Sequence, residues 1–224
     1  MKKNKIFVAC DSANISKIKE IIKKTNNSHL KIGYKFGLEF LNSKNGRNFV
    51  SKLKNKIIFA DLKLHDIPNT CVSAIKAIKD LKINYLTIHI SSGLKALLSA
   101  KKVSGKTKLV GVTILTSLDN KTLREIGFNK DVKNIVLHQA KLAAKAKLDA
   151  IVCSAQEVSI VKKVFKKEII TPGIRFGSKA NDQKRTLTPK QAYKNNSDWL
   201  VIGRPITKGN IKKNIKILID HLNK

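Results

Sequence analysis

Residues Ile57 to Thr70 read IIFADLKLHDIPNT, and the rest of the chain is read outward from this stretch. Residues 57–60 are a short apolar run, the pattern of a strand buried on both faces. The run then breaks into charge, with Asp61, Lys63 and Asp66 in quick succession. If the strand continues to Lys63, Asp61 and Lys63 project to the same side, because strand side chains repeat every two residues. Asp66 falls just beyond, on a turn, before Pro68-Asn69-Thr70 and a new helix. Two acids around one lysine at the end of a buried strand are costly to fold unless the charges pair.

Similar apolar runs recur on both sides of this one. Residues 6–10, 30–34, 57–63, 85–89, 109–115, 150–153, 169–171 and 199–203 read as eight strands. Helical spacing lies between them. Ile15, Ile18, Ile21 and Ile22 carry it, as do residues 36–40 and 49–53, the Val72, Ile75, Ile78, Leu81 stripe, and Ile135, Val136, Gln139, Ala140, Ala143. Ile211, Ile215, Leu218, Ile219 and Leu222 give a last amphipathic helix with Lys212, Lys213 and Lys216 outward. Strand–helix alternation repeated eight times predicts a (β/α)8 TIM barrel, one domain over residues 1–224. An open doubly wound sheet is the alternative, with fewer strands.

Composition narrows the classes. The formal charge is +31, which in general points to nucleic acid or an anionic surface. Here the excess is lysine scattered along every helix, and the only arginines are Arg47, Arg124, Arg175, Arg185 and Arg204. No basic–aromatic stacking platform accompanies them, so no nucleic-acid role is expected. Abundant Lys, Asn and Ile together fit an AT-rich coding sequence. No apolar run is long enough to span a bilayer, and Asp11 interrupts the N-terminal apolar run too early for a signal peptide. A soluble cytoplasmic protein without membrane partners is expected. Cys10, Cys71 and Cys153 lack metal or redox spacing and read as buried, reduced thiols.

In a barrel of this kind chemistry collects at the C-terminal strand ends. Asp11 follows the first strand. Lys31 lies in the second, in the apolar context LKIG, where a lysine needs a reason. Asp61, Lys63 and Asp66 follow the third, and Thr116 follows the fifth in VTILTS. His89 ends the fourth and reads as a structural histidine. After the seventh come TPGIR, with Arg175, and a long polar loop carrying Gln183. After the eighth comes VIGRPIT, where Gly203 lets a backbone approach a ligand and Arg204 offers a fork for phosphate.

The string DLKLHDIPNT closely resembles the signature of the orotidine 5'-monophosphate decarboxylases. VTILTS, VCSAQE, TPGIR, DQKRTLTP and VIGRPIT each resemble the family's corresponding segments, so the resemblance covers essentially the whole chain. It implies decarboxylation of orotidine 5'-monophosphate (OMP) to UMP and CO2 in de novo pyrimidine synthesis, with no metal and no cofactor. Lys31, Asp61, Lys63 and Asp66 match the family's alternating charge network, with Lys63 the stabiliser and proton donor to C6. Asp11, Thr70 and Thr116 match nucleotide contacts; Arg175, Gln183, Gly203 and Arg204 match the phosphate-end group. The resemblance also implies a homodimer, with Asp66 reaching into the partner's site. This chain departs from the pattern at Ser12-Ala13-Asn14, which lacks the common proline, at Phe176, and in a slightly short loop before Asp182. Sugar-phosphate decarboxylases and aldolases on the same scaffold also use D-x-K-x-x-D, with a divalent metal; IPNT and the DQKR loop favour the nucleotide enzyme.

Overall fold

Parallel strands cannot be joined by tight turns, so each strand-to-strand connection must cross over the sheet. In the computed structural model, which describes residues 3–176 and 187–223, helices make those crossings. The strands are β1 (Asn4–Ala9), β2 (Leu30–Phe36), β3 (Ile57–Leu64), β4 (Tyr85–His89), β5 (Lys108–Val112), β6 (Ala150–Val152), β7 (Glu168–Thr171) and β8 (Trp199–Ile202). They pair in chain order and close, β8 returning to β1 with Ile6 opposite Leu200. The eight-stranded (β/α)8 barrel is the fold.

The helices form for local reasons. Asn14 caps Ile15–Thr25 by accepting the Lys17 N–H at 3.1 Å, and Lys23 and Lys24 occupy its negative C-terminal end. Ile18 and Ile21 of that helix are buried while its lysines face out. Asp131 caps Val132–Lys145, whose buried face is Ile135, Val136, Gln139, Ala140 and Ala143, the stripe expected from the spacing. Pro68 occupies the first turn of Pro68–Ala77, where its missing N–H costs nothing, so Pro68-Asn69-Thr70 opens a helix rather than preceding one. Ile211–Asn223 buries Ile211, Ile215 and Leu218 and exposes Lys212, Lys213 and Lys216. Among the described residues no helix is long and apolar enough to cross a membrane. Cys10, Cys71 and Cys153 are buried, and none of them is in a disulfide among the described residues.

Alternation along the strands builds two cores. Ile6, Val8 and Cys10 face the helices; Phe7 and Ala9 face the barrel interior with Phe59, Tyr85, Val110, Ala150, Ile170, Trp199 and Val201. Phe7 stacks on Trp199 with centroids 4.2 Å apart and meets Phe59 at 4.9 Å. Fully burying such a ring stabilises the fold by about 1.5–3 kcal/mol. Gly33 makes room for it: a Cβ there would lie 2.6 Å from the Phe7 ring. Below this layer, at the N-terminal mouth, Glu168 accepts Lys108 Nζ at 2.8 Å, the Tyr85 hydroxyl at 3.0 Å and Trp199 Nε1 at 3.4 Å.

Every strand but β4 differs from the sequence reading by one to three residues at an end, and two of these differences bear on the site. β2 runs on to Phe36, which the helical spacing had claimed. β5 ends at Val112, and the Thr113 N–H and hydroxyl both donate to the Val152 carbonyl, at 3.2 and 3.0 Å.

Candidate active site

The C-terminal mouth holds a cavity of about 520 Å³, within the range of small-ligand sites. Its floor is apolar: Ala9, Phe59, Val112, Val152 and Val201 line it from five strands. On one wall stand Asp11, Lys35, Asp61 and Lys63; on another, Arg175, Gly203 and Arg204; Thr116 lines it from the loop after β5.

The charged wall is a chain of alternating sign. Lys35 Nζ lies 3.2 Å from Asp11 Oδ1 and 3.2 Å from Asp61 Oδ2; Lys63 Nζ donates to the same Asp61 oxygen at 2.9 Å. The side chains of Asp61 and Lys35 are each only 12% exposed, against 34% for Lys63, so the last cation faces the cavity. Burial would raise the Asp61 carboxyl, but the Lys35 and Lys63 ammoniums outweigh it and hold the group below the usual carboxylate range. Burial would lower Lys35, but Asp61 and Asp11 outweigh it and hold its ammonium above the ordinary lysine value. Asp61 and Lys35 therefore stay ionised around neutral pH, and the shared cation Lys35 makes two close carboxylates tolerable.

Lys63 reaches its place through irregular backbone. Between β3 and β4 the register shifts, with Ala60 opposite Leu86 but Leu64 opposite Ile88, so extra residues bulge from β3. Lys63 sits in this bulge at φ +48°, the left-handed region that a lysine rarely adopts. Its N–H, displaced from the ladder, donates to Thr87 Oγ1 at 2.7 Å. The same hydroxyl donates to Asp61 Oδ1 at 3.2 Å.

The other expected residues distribute as follows. Lys31 does not belong to the network. It opens β2 opposite Lys5, is exposed, and points to the N-terminal mouth, four residues or about 13 Å from Lys35. The alternation that aims Lys31 inward aims Lys35 inward too, and only Lys35 is at the end where the site forms. Asp66 is exposed, accepts the Ile67 N–H at 2.7 Å, and is not among the cavity-lining residues; neither is Thr70, exposed on Pro68–Ala77. Arg175, Gly203, Arg204, Thr116 and Asp11 do line it. Gln183 lies outside the described residues. His89 packs against His65 with ring centroids 5.0 Å apart; burial, the neighbouring His65 and Lys63 depress its imidazole below the ordinary value. Besides Lys35, the sequence reading missed Thr87, and Lys17 and Lys208 on the cavity rim. Thr87 was findable as the inward position between Tyr85 and His89. Lys17 and Lys208 carry no signal that separates them from the other surface lysines.

Chemically, the wall offers a fixed ammonium beside an anchored carboxylate, and the same cavity is lined by two guanidinium groups suited to a phosphate. Among the described residues no group of three or more His, Cys, Asp or Glu is placed to hold a metal ion.

Known proteins carry the same arrangement of chain. The model of the Orotidine 5'-phosphate decarboxylase / HUMPS family matches residues 4–214. The orotidine 5'-phosphate decarboxylase of Wolbachia sp. subsp. Brugia malayi is 46% identical over 223 residues, 96% of this chain and 97% of that protein. That of Vibrio cholerae serotype O1 is 40% identical over 217 residues, 91% of each chain. The crystal structure of orotidine 5'-phosphate decarboxylase from Lactobacillus acidophilus superposes with a TM-score of 0.84 at 31% identity, over 99% of this chain and 100% of that one. Matched along nearly its whole length by a family model and by bacterial enzymes, this chain is a lyase of the orotidine 5'-phosphate decarboxylase / HUMPS family.

Proposed function

We propose that this chain decarboxylates OMP to UMP and CO2 as a step of pyrimidine synthesis, without metal or cofactor. One observation carries the reading. The cavity-facing ammonium of Lys63 is held at 2.9 Å by a buried carboxylate that a second buried lysine also clamps, in a cavity of about 520 Å³ that Arg175 and Arg204 also line.

When the bond from pyrimidine C6 to the carboxylate breaks, its electron pair stays on C6 and CO2 departs. A carbanion there is unstable in water. The Lys63 ammonium, pre-oriented in a poorly hydrated wall, stabilises the developing charge at no cost of reorganisation and then transfers a proton to C6. Solvent reprotonates the amine. Asp61 sits beside the substrate carboxylate and holds Lys63 in place. Lys35 takes the orienting role first assigned to Lys31, balancing Asp61 and tying it to Asp11 at the ribose end. Arg204 and Arg175, with Gln183, grip the phosphate, and Gly203 admits it close to the backbone. Thr116 contacts the nucleotide, and Thr70, which like Asp66 lies outside its own chain's cavity, contacts the nucleotide in the partner's site. Binding energy from the phosphate is thereby spent on the reacting centre.

The working unit in this reading is a cytoplasmic homodimer. Asp66, which stays out of its own chain's cavity, serves the partner's site. Ile67, 66% exposed beside it, supplies apolar surface for that contact.

The test is absorbance-monitored turnover of OMP in excess EDTA, with Lys63→Ala alongside. We expect turnover that survives EDTA and is lost in the folded variant. Turnover that needs added magnesium, or that persists in Lys63→Ala, refutes the mechanism.

A further inference from the structure

We propose that Thr87 is a positioning residue that sets both the orientation of Asp61 and the backbone of Lys63. The inference deepens the function proposed above and rests on it. Thr87 is 1% exposed in the middle of β4 and does not line the cavity, so it acts only through others.

Its hydroxyl does two things at once. It accepts the Lys63 N–H at 2.7 Å and donates to Asp61 Oδ1 at 3.2 Å. The acceptor half answers a need created by the bulge. With Lys63 at φ +48° and the ladder out of register, its amide has left the regular β3–β4 pairing, and a buried N–H without a partner is expensive. The donor half completes the anchoring of Asp61. Both ammoniums bind Oδ2, at 2.9 and 3.2 Å, which leaves the carboxylate free to swing about that oxygen unless Oδ1 is also held. Thr87 holds it. A hydroxyl donates and accepts together, whereas the equally shaped valine does neither. The left-handed turn that aims Lys63 and the carboxylate that holds its ammonium are thus referenced to one atom on the neighbouring strand.

The experiment compares Thr87→Val, Thr87→Ser and Thr87→Ala with the parent protein. Steady-state kinetics on OMP are measured across pH, with amide hydrogen exchange at Lys63 in parallel. Misplacing the catalytic pair should lower kcat by about 10- to 100-fold in Thr87→Val with KM changed less than about 2-fold. Thr87→Ser should recover most of the loss. The acid limb of kcat/KM should move to higher pH in Thr87→Val and not in Thr87→Ser, since only the former strips a donor from Asp61. The Lys63 amide should exchange faster in Thr87→Val than in parent or Thr87→Ser. Should Thr87→Val not fold, Thr87→Ala, which adds no bulk, is read in its place. Parent-like kcat in a folded Thr87→Val, or equal losses in the Val and Ser variants, overturns the proposal and leaves the function standing. A parent protein inert toward OMP overturns the function, and the exchange comparison then still decides whether the hydroxyl anchors Lys63.

Discussion

Replacing Lys35 by methionine keeps most of the side-chain volume and removes one charge from the wall. Lys35 Nζ lies 3.2 Å from a carboxylate oxygen of both Asp11 and Asp61. With an effective dielectric constant of about 20, one such contact is an attraction of about 5 kcal/mol before desolvation offsets part of it. Asp11 is 58% exposed, and solvent screens its share. Asp61 is 12% exposed and retains Lys63, so the loss falls at the low end of what breaking a buried pair costs, about 3 kcal/mol. For a chain of this length that corresponds to a Tm lower by roughly 6–12 °C. The catalytic effect should be larger in proportion. An Asp61 missing one of its two cations draws Lys63 back from the cavity, and loss of preorganised charge of this kind lowers kcat about 10²- to 10³-fold. Lys31→Met is the internal control. It is exposed at the opposite mouth, and surface changes there shift stability by about 0.5 kcal/mol or less. Thermal melts and OMP turnover on both variants decide the matter. An inactive Lys31→Met beside an active Lys35→Met would refute the assignment of the network.

Arg204→Ala should raise KM for OMP at least about 10-fold while leaving turnover of a phosphate-free nucleoside analogue near parent level, as expected for a charge-assisted phosphate contact. An equal loss on both substrates would contradict a phosphate role. Glu168→Gln should lower stability near neutral pH by about 1.5–3 kcal/mol, through weakened bonds to Lys108, Tyr85 and Trp199, with kcat unchanged. Burial alone would raise the Glu168 carboxyl, but Lys108, Tyr85 and Trp199 outweigh it and hold it below the ordinary 4.5. Its stabilisation is therefore present above the ordinary value and lost as pH falls through the lower folded-state value, so melts of parent and variant should converge once the pH lies below that value. A gap that persists in acid would assign the loss to packing.

The strands were legible in the sequence because each is a short apolar run bounded by helical spacing, and their positions fix the fold. Asp61 and Lys63 were legible because charge follows directly on such a run; an ordinary ion pair would explain that alone, and the full string DLKLHDIPNT is what marked them as a site. Lys35 was not, for a geometric reason. A period of two tells which face of the sheet a residue takes but not which end of the barrel it reaches. The run containing Lys31 looked complete at Tyr34, two residues before β2 ends. The Lys63 bulge was invisible because a left-handed lysine has no sequence signature. It is imposed by the neighbouring strand, whose Thr87 captures the displaced amide. Asp66 and Thr70 are exposed in the single chain, and the cavity of that chain gives them no role.

Both mouths of the barrel carry inward lysines paired with a carboxylate, so charge does not distinguish the site from the plug. Side-chain size does. Along the inward positions of β1 the chain passes from Phe7 to Ala9 to Asp11; along β3 from Phe59 to Asp61; along β4 from Tyr85 to Thr87; along β8 from Trp199 to Val201 to Gly203. In each case the aromatic residue lies toward the N-terminal end and a smaller one follows. The large rings pack just above Glu168, where Tyr85, Lys108 and Trp199 satisfy its carboxylate. One layer higher β1, β5, β6 and β8 present Ala9, Val112, Val152 and Val201, small residues that border the 520 Å³ cavity. The charges of Lys35 and Asp61, each 12% exposed, thus border an apolar floor and hold the Lys63 ammonium at its edge, which favours a strong action on a nascent carbanion. The taper from aromatic to small along successive inward positions is what turns one of two similar ion clusters into a reaction site.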